Sequence, residues 1–264
     1  MKSRPIRSAI VLLAVVTAAV GGQWYYASHK SETNYVARNV ALRAIPLYFY
    51  PATDSTTAPK AFIFFLGNDV GFWQPHHQLA AILAADGYAV AGYDMKPLLA
   101  SLPETEPARD SVFGVRISEV IARAQAELHA EALPVIVGGH SLGAEVAVWI
   151  AAHTSIPGMK GVLSVSPGSR SHLRVSAADI ANSSEPTDAE SFAVSDAVRD
   201  MPPTLHLAII RGANDRYVFA DSALLVAGAG HAKRFIVPLA GHSLKSLFVA
   251  RFVVRTALTW ILTP

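Results

Sequence analysis

The 264-residue sequence predicts an α/β domain, a doubly wound and mostly parallel sheet with helices on both faces. Three observations carry this. Short continuous apolar runs alternate along the chain with segments of helical period, the pattern of buried parallel strands joined by helices. One such run leads through Gly139-His140-Ser141-Leu142-Gly143 directly into a helical segment. A carboxylate and a histidine then follow, each just beyond a later run.

The elements read in order as follows. Residues 47–50 form an early strand, and a polar turn at 53–59 leads to Ala61-Phe62-Ile63-Phe64-Phe65-Leu66, a run of buried-strand type that breaks into Gly67-Asn68-Asp69-Val70-Gly71. Leu79, Ile82 and Leu83 give one face of a helix over 75–86, stopped by Asp86-Gly87. The adjacent pair His76-His77 falls at the start of this helix, where neighbouring side chains diverge, and reads as a solvated helix start. A strand at 88–92 follows. Phe113, Ile117, Val120, Ile121, Ala124 and Leu128 then mark a four-turn amphipathic helix. After the strand at 135–138 and the helix at 144–152 comes a further strand at 162–165. Residues 166–203 are rich in Ser, Asp, Glu and Ala, and strand patterning resumes at 205–210 and 234–238 before a long apolar-periodic segment at 244–261.

The pentapeptide around Ser141 has the form of a nucleophile elbow. A serine on a sharp strand-to-helix turn is held in strained backbone geometry, and flanking glycines are needed because side chains there would strike the neighbouring strand and helix. A serine hydroxyl is a poor nucleophile until an imidazole takes its proton, and that imidazole needs a carboxylate on its other nitrogen. Chain order supplies both. Asp215 stands in the loop Arg211-Gly212-Ala213-Asn214-Asp215, and His242 in Leu239-Ala240-Gly241-His242-Ser243. Ser141 is the candidate nucleophile, Asp215 the acid and His242 the base. The expected oxyanion donors are the backbone N–H groups of Leu142, opening the elbow helix, and of Asn68, following the glycine that ends its strand.

Composition narrows the field. The formal net charge is +2, but Lys2, Arg4, Arg7 and Lys30 precede any acid, so the remainder of the chain is weakly acidic and no nucleic-acid partner is expected. Absence of cysteine excludes a thiol nucleophile, a disulfide framework and lipoprotein acylation. No dinucleotide fingerprint, P-loop, His-Glu-x-x-His or calcium loop occurs, so no cofactor and no metal are expected.

The N-terminus begins basic, continues through an apolar stretch at 9–20 and closes with Trp24-Tyr25-Tyr26. Residues 1–27 read as an export signal. Ala19-Val20-Gly21 would serve as a cleavage site, whereas residues 8–27 are also long enough to span a bilayer with an aromatic belt, so both readings stand. Either way the domain, residues 28–264, is expected in the periplasm, anchored in or released from the inner membrane.

Together, the Gly-Asn-Asp-x-Gly-Phe-Trp loop, the Gly-His-Ser-Leu-Gly elbow, the Ser-Arg-Ser start of the polar segment and the late Gly-His resemble the α/β-hydrolase superfamily, and within it the bacterial VirJ/AcvB virulence-protein family. The resemblance implies an α/β-hydrolase fold with a short cap at 167–203 and a periplasmic hydrolase of aminoacylated phosphatidylglycerol. The chain departs from that family's pattern at Gly67-Asn68-Asp69-Val70-Gly71 and at Arg174. A substrate of this kind carries an ammonium group, and the carboxylates placed to meet it are Asp69, Asp94 and Glu145. The resulting expectation is a serine hydrolase that cleaves a small-molecule or lipid carboxylic ester through an acyl-enzyme. Two alternatives accompany it: a general carboxylesterase or lipase, and a catalytically silent envelope binding module.

Overall fold

The computed structural model describes residues 46–53, 57–174, 185–243 and 247–263. The N-terminal segment at 1–27 and residues 54–56 of the polar turn at 53–59 lie outside these residues. Strands are β1 Leu47–Tyr50, β2 Phe62–Leu66, β3 Ala89–Tyr93, β4 Val135–His140, β5 Met159–Val165, β6 Arg170–Ser171, β7 Phe192–Ala193, β8 His206–Gly212 and β9 Ala232–Val237. Helices are α1 Gln74–Ala85, α2 Lys96–Ala100, α3 Glu106–Glu127, α4 Leu142–His153, α5 Val194–Asp200, α6 Asp221–Ala227 and α7 Leu247–Ile261.

Seven strands form one sheet in the order β1-β3-β2-β4-β5-β8-β9. Only β1 runs antiparallel, pairing with β3. Side chains alternate across it with the strand period of two. Phe62, Phe64 and Leu66 join a core that includes Phe113, Ile117 and Trp149, while Ile63 and Phe65 join the opposite core with Leu83, Val254 and Leu258. Burial on both faces explains why β2 is apolar at every position, and each such side chain contributes roughly 1.5–3 kcal/mol. Asp86, which ends α1, is held by Arg251 and Arg255 of α7, so the two helices on one face are locked together.

Two elements differ from the sequence pattern. Helix α3 begins at Glu106, earlier than the apolar periodicity shows, because its first turns carry Pro107 and few core residues; proline is tolerated there since the first N–H groups have no intrahelical acceptor. Helix α5 falls within the segment read as cap, yet Val194, Ala197 and Val198 are buried against the main core beside α4. The i, i+3, i+4 spacing is present but extends for only seven residues. Among the described residues of that segment, the part before α5 includes the small β6-β7 pair.

Candidate active site

Ser141 stands at the end of the central strand β4 with φ 54° and ψ −122°, a left-handed conformation that a serine rarely adopts. Backbone contacts hold it there. The Ser141 N–H donates to the Val165 carbonyl at 2.9 Å, and the Ser141 carbonyl accepts from Ala144 at 2.8 Å to start α4. A Cβ on Gly139 would meet the Gly143 carbonyl at 2.2 Å, and one on Gly143 would meet the Gly67 carbonyl at 2.1 Å. Glycine at these two places lets strand, helix and the loop after β2 approach at backbone distance.

His242 Nε2 lies 3.0 Å from Ser141 Oγ, and His242 Nδ1 lies 3.1 Å from Asp215 Oδ1. Since ionised Asp215 can only accept, the Nδ1 proton is fixed and Nε2 is free to receive the serine proton. Burial alone would raise the Asp215 carboxyl, but hydrogen bonds from His242, the Tyr217 N–H and Arg211 hold it well below the usual carboxylate range. The Tyr217 ring packs edge-on against His242 at 5.0 Å between centroids. Ser141, Asp215 and His242, separated widely in sequence, thus form one hydrogen-bonded line.

The fully buried Arg211 was not singled out by sequence. Its Nη1 donates to Asp215 Oδ2 at 2.8 Å, its Nη2 to Asp221 Oδ1 at 2.7 Å and to the Pro167 carbonyl at 2.6 Å. Two carboxylates and a carbonyl satisfy the buried guanidinium, which leaves Asp215 Oδ1 for the histidine. An arginine at the end of an apolar strand was the visible signal.

His76 and His77 are buried, contrary to the solvated helix start read from sequence. The first turn of α1 packs against the sheet, and each ring finds a polar partner: His77 Nδ1 meets the Tyr50 hydroxyl, and His76 Nε2 lies 3.1 Å from His140 Nδ1. His140 Nε2 in turn lies 3.0 Å from the His242 carbonyl. A carbonyl only accepts, so the proton is on His140 Nε2. Its Nδ1 then accepts from His76 Nε2–H, and His76 Nδ1 accepts from the Trp73 N–H at 3.3 Å. Burial pushes the His140 imidazole down to about 4 and, with His140 adjacent, pushes His76 well below its ordinary value, so both rings are neutral in this chain of bonds.

The oxyanion and binding residues divide. Leu142 opens α4, so its N–H has no intrahelical acceptor. The Asn68 N–H, expected as the second donor, instead donates to the Gly71 carbonyl at 3.2 Å because residues 68–71 close into a tight turn, and Asn68 Oδ1 accepts the Val70 N–H. Among the described residues the next N–H, that of Asp69, has no hydrogen-bond partner. A cleft of about 280 Å³ opens over Ser141, walled by Asp69, Glu145, Arg170, Arg174, Arg216 and Tyr217. Asp94 does not line this cleft. Its carboxylate accepts the Lys96 N–H at 3.1 Å, a local helix-start bond. Glu145 is buried at the cleft floor, accepts the Gly168 N–H at 2.7 Å, and is pushed up to about 7 by burial. Among the described residues no group of His, Asp and Glu side chains is arranged to hold a metal ion.

A family model described as serine hydrolase matches residues 110–248. The fold resembles a putative dienelactone hydrolase from Klebsiella pneumoniae (15% identity, TM-score 0.60, covering 83% of this chain and 93% of that one). It also resembles esterase B from Lactobacillus rhamnosis (16%, 0.55, covering 81% and 80%). A third is an α/β serine hydrolase without lid from Xanthomonas campestris (12%, 0.54, covering 83% and 90%). At these identities the likeness shows the α/β-hydrolase fold. No curated protein matches the sequence, so the VirJ/AcvB resemblance rests on the motifs alone.

Proposed function

Because the chain belongs to the serine hydrolase family, we propose that it cleaves a carboxylic ester through an acyl-enzyme formed on Ser141. The observation that carries this is the continuous line from Ser141 Oγ through His242 to Asp215 at 3.0 and 3.1 Å. His242 Nε2 takes the hydroxyl proton as Oγ attacks the ester carbonyl, and Asp215 holds the imidazolium that results. The Leu142 N–H receives the oxyanion, with the Asp69 N–H in the place first read for Asn68. His242 then protonates the departing alcohol, and a water activated the same way releases the acid. An assembled triad disfavours the silent binding module.

For the substrate we propose a lipid ester bearing an ammonium group, of the aminoacyl-phosphatidylglycerol kind, met in the periplasm. Asp69 and Glu145, both walls of the cleft that contains Ser141, support this reading. Asp69 would be the charged partner, since Glu145 is buried and already bonded to Gly168. The test is kcat/KM on lysyl-phosphatidylglycerol against a neutral ester. A charge-assisted contact of roughly 1.5–3 kcal/mol predicts that Asp69→Asn raises the neutral-to-aminoacyl ratio by about 10- to 100-fold. If the wild-type enzyme cleaves p-nitrophenyl acetate readily and leaves lysyl-phosphatidylglycerol untouched, the general carboxylesterase takes its place.

A further inference from the structure

Two features meet on one edge of the sheet. Strand β1 is antiparallel to β3 with Leu47 opposite Tyr93, and Tyr93 ends a strand parallel to β4, so the described chain enters the domain on the edge where β4 delivers Ser141. The Pro46 carbonyl, accepting the Asp94 N–H at 3.0 Å, fixes that entry point. Nineteen residues, 27–45, separate it in sequence from the apolar stretch that ends in Trp24-Tyr25-Tyr26. Fully extended they would reach at most ~65 Å, so a membrane-held N-terminus leaves this edge within reach of the bilayer.

The same edge carries unburied apolar side chains. Nine large hydrophobic residues are exposed among the described residues, and five stand in the connections beyond strand ends here: Val70 and Trp73 after β2, Val218 and Phe219 in a 3-10 turn after β8, and Leu239 after β9. In the sheet order β2 lies on one side of β4 and β8 and β9 on the other, so these connections flank Ser141. Leu239 is the extreme case, 88% exposed at a φ of 60°. Backbone strain and lack of packing both favour glycine there, so the stability of the isolated domain does not account for a leucine.

We propose that this edge docks on a phospholipid bilayer, with Trp73, Phe219, Leu239, Val70 and Val218 entering the interfacial layer around the mouth of the Ser141 cleft. Tryptophan and phenylalanine beside aliphatic side chains are the residue types that partition into the headgroup boundary. The proposal deepens the lipid-ester reading and rests on it for its use, while its geometry stands on where the side chains are.

The chain lacks cysteine, so single reporters can be placed without competing thiols. Full-length protein carrying Leu239→Cys or Val226→Cys is labelled with an environment-sensitive fluorophore and reconstituted with phosphatidylcholine–phosphatidylglycerol vesicles. Val226 is an exposed control on α6, away from the edge. The expected result is a blue shift and quenching by bromolipids for Leu239→Cys alone. Equal responses at the two sites, or a concentration-dependent blue shift without vesicles, which would mean a second copy covers the edge, overturns the proposal. In parallel, Leu239→Ser with Val218→Ser should leave turnover of a soluble ester within about twofold and lower that of a vesicle-borne ester about fivefold or more. Equal losses on both would likewise overturn it. Failure of the ester chemistry itself would show as no turnover of either ester and leave the fluorescence result to be read independently.

Discussion

The imidazole of His140 donates to the main-chain carbonyl of His242 at 3.0 Å, so the residue before Ser141 grips the backbone of the histidine proposed as base. This contact predicts that His140→Phe lowers kcat by roughly 10- to 100-fold with KM little changed, because a displacement of about 1 Å at the base is sufficient for that loss. Steady-state kinetics on a soluble ester checks it. A fall in thermal stability with kcat preserved would assign His140 to packing alone.

The elbow and the loop after β2 touch through backbone, since a Cβ added at Gly143 would meet the Gly67 carbonyl at 2.1 Å. Gly143→Ala should therefore push the 67–71 loop outward and lower kcat by about 10²-fold or more, the loss typical of one oxyanion donor. Retained activity would mean that this loop supplies none.

Arg211 ties Asp215 to Asp221 in a fully buried cluster. Removing the guanidinium leaves two carboxylates without their main partner, so Arg211→Met should cost about 3–5 kcal/mol in urea unfolding. Adding Asp221→Asn should restore part of it, since the two changes share one network. The depressed Asp215 carboxyl has the matching pH sign: its stabilising contribution is present above the ordinary carboxylate range and lost as the pH falls below it.

Glu145 has the opposite sign. Its carboxyl is raised from 4.5 to about 7 in the folded protein, so the unfolded chain ionises first and stability declines as the pH rises between those values. Glu145→Gln should keep the acceptor for Gly168 and remove this decline. Its stability relative to wild type is expected to improve from pH 4.5 to 7 by roughly 3 kcal/mol at most. A pH-independent difference would contradict the assignment.

The legibility of this molecule follows from where its signals are local. Phe62 to Leu66 read as a buried strand because both faces of the sheet are covered, and Ser141, Asp215 and His242 were visible because each follows directly on such a run. The His76–His140 bond spans 64 residues, and nothing near His76 in sequence shows that its polar ring will find a partner and be buried. Asn68 and Asp69 differ by a single turn hydrogen bond, below what a Gly-Asn-Asp pattern resolves. Asp94 and Glu145 were equivalent as carboxylates near strand ends, and only the course of the loops directs one to its own helix and the other to the cleft.

The central claim is that Ser141 is an activated nucleophile in the line Ser141–His242–Asp215, and covalent trapping tests it most directly. The protein is treated with a fluorophosphonate at neutral pH and the adduct is mapped by peptide mass spectrometry. The account predicts one stoichiometric adduct on Ser141, abolished by Ser141→Ala and slowed by about 10³-fold or more in His242→Ala, since the hydroxyl alone is a weak nucleophile. No adduct, or an adduct on another serine that persists in Ser141→Ala, would contradict it.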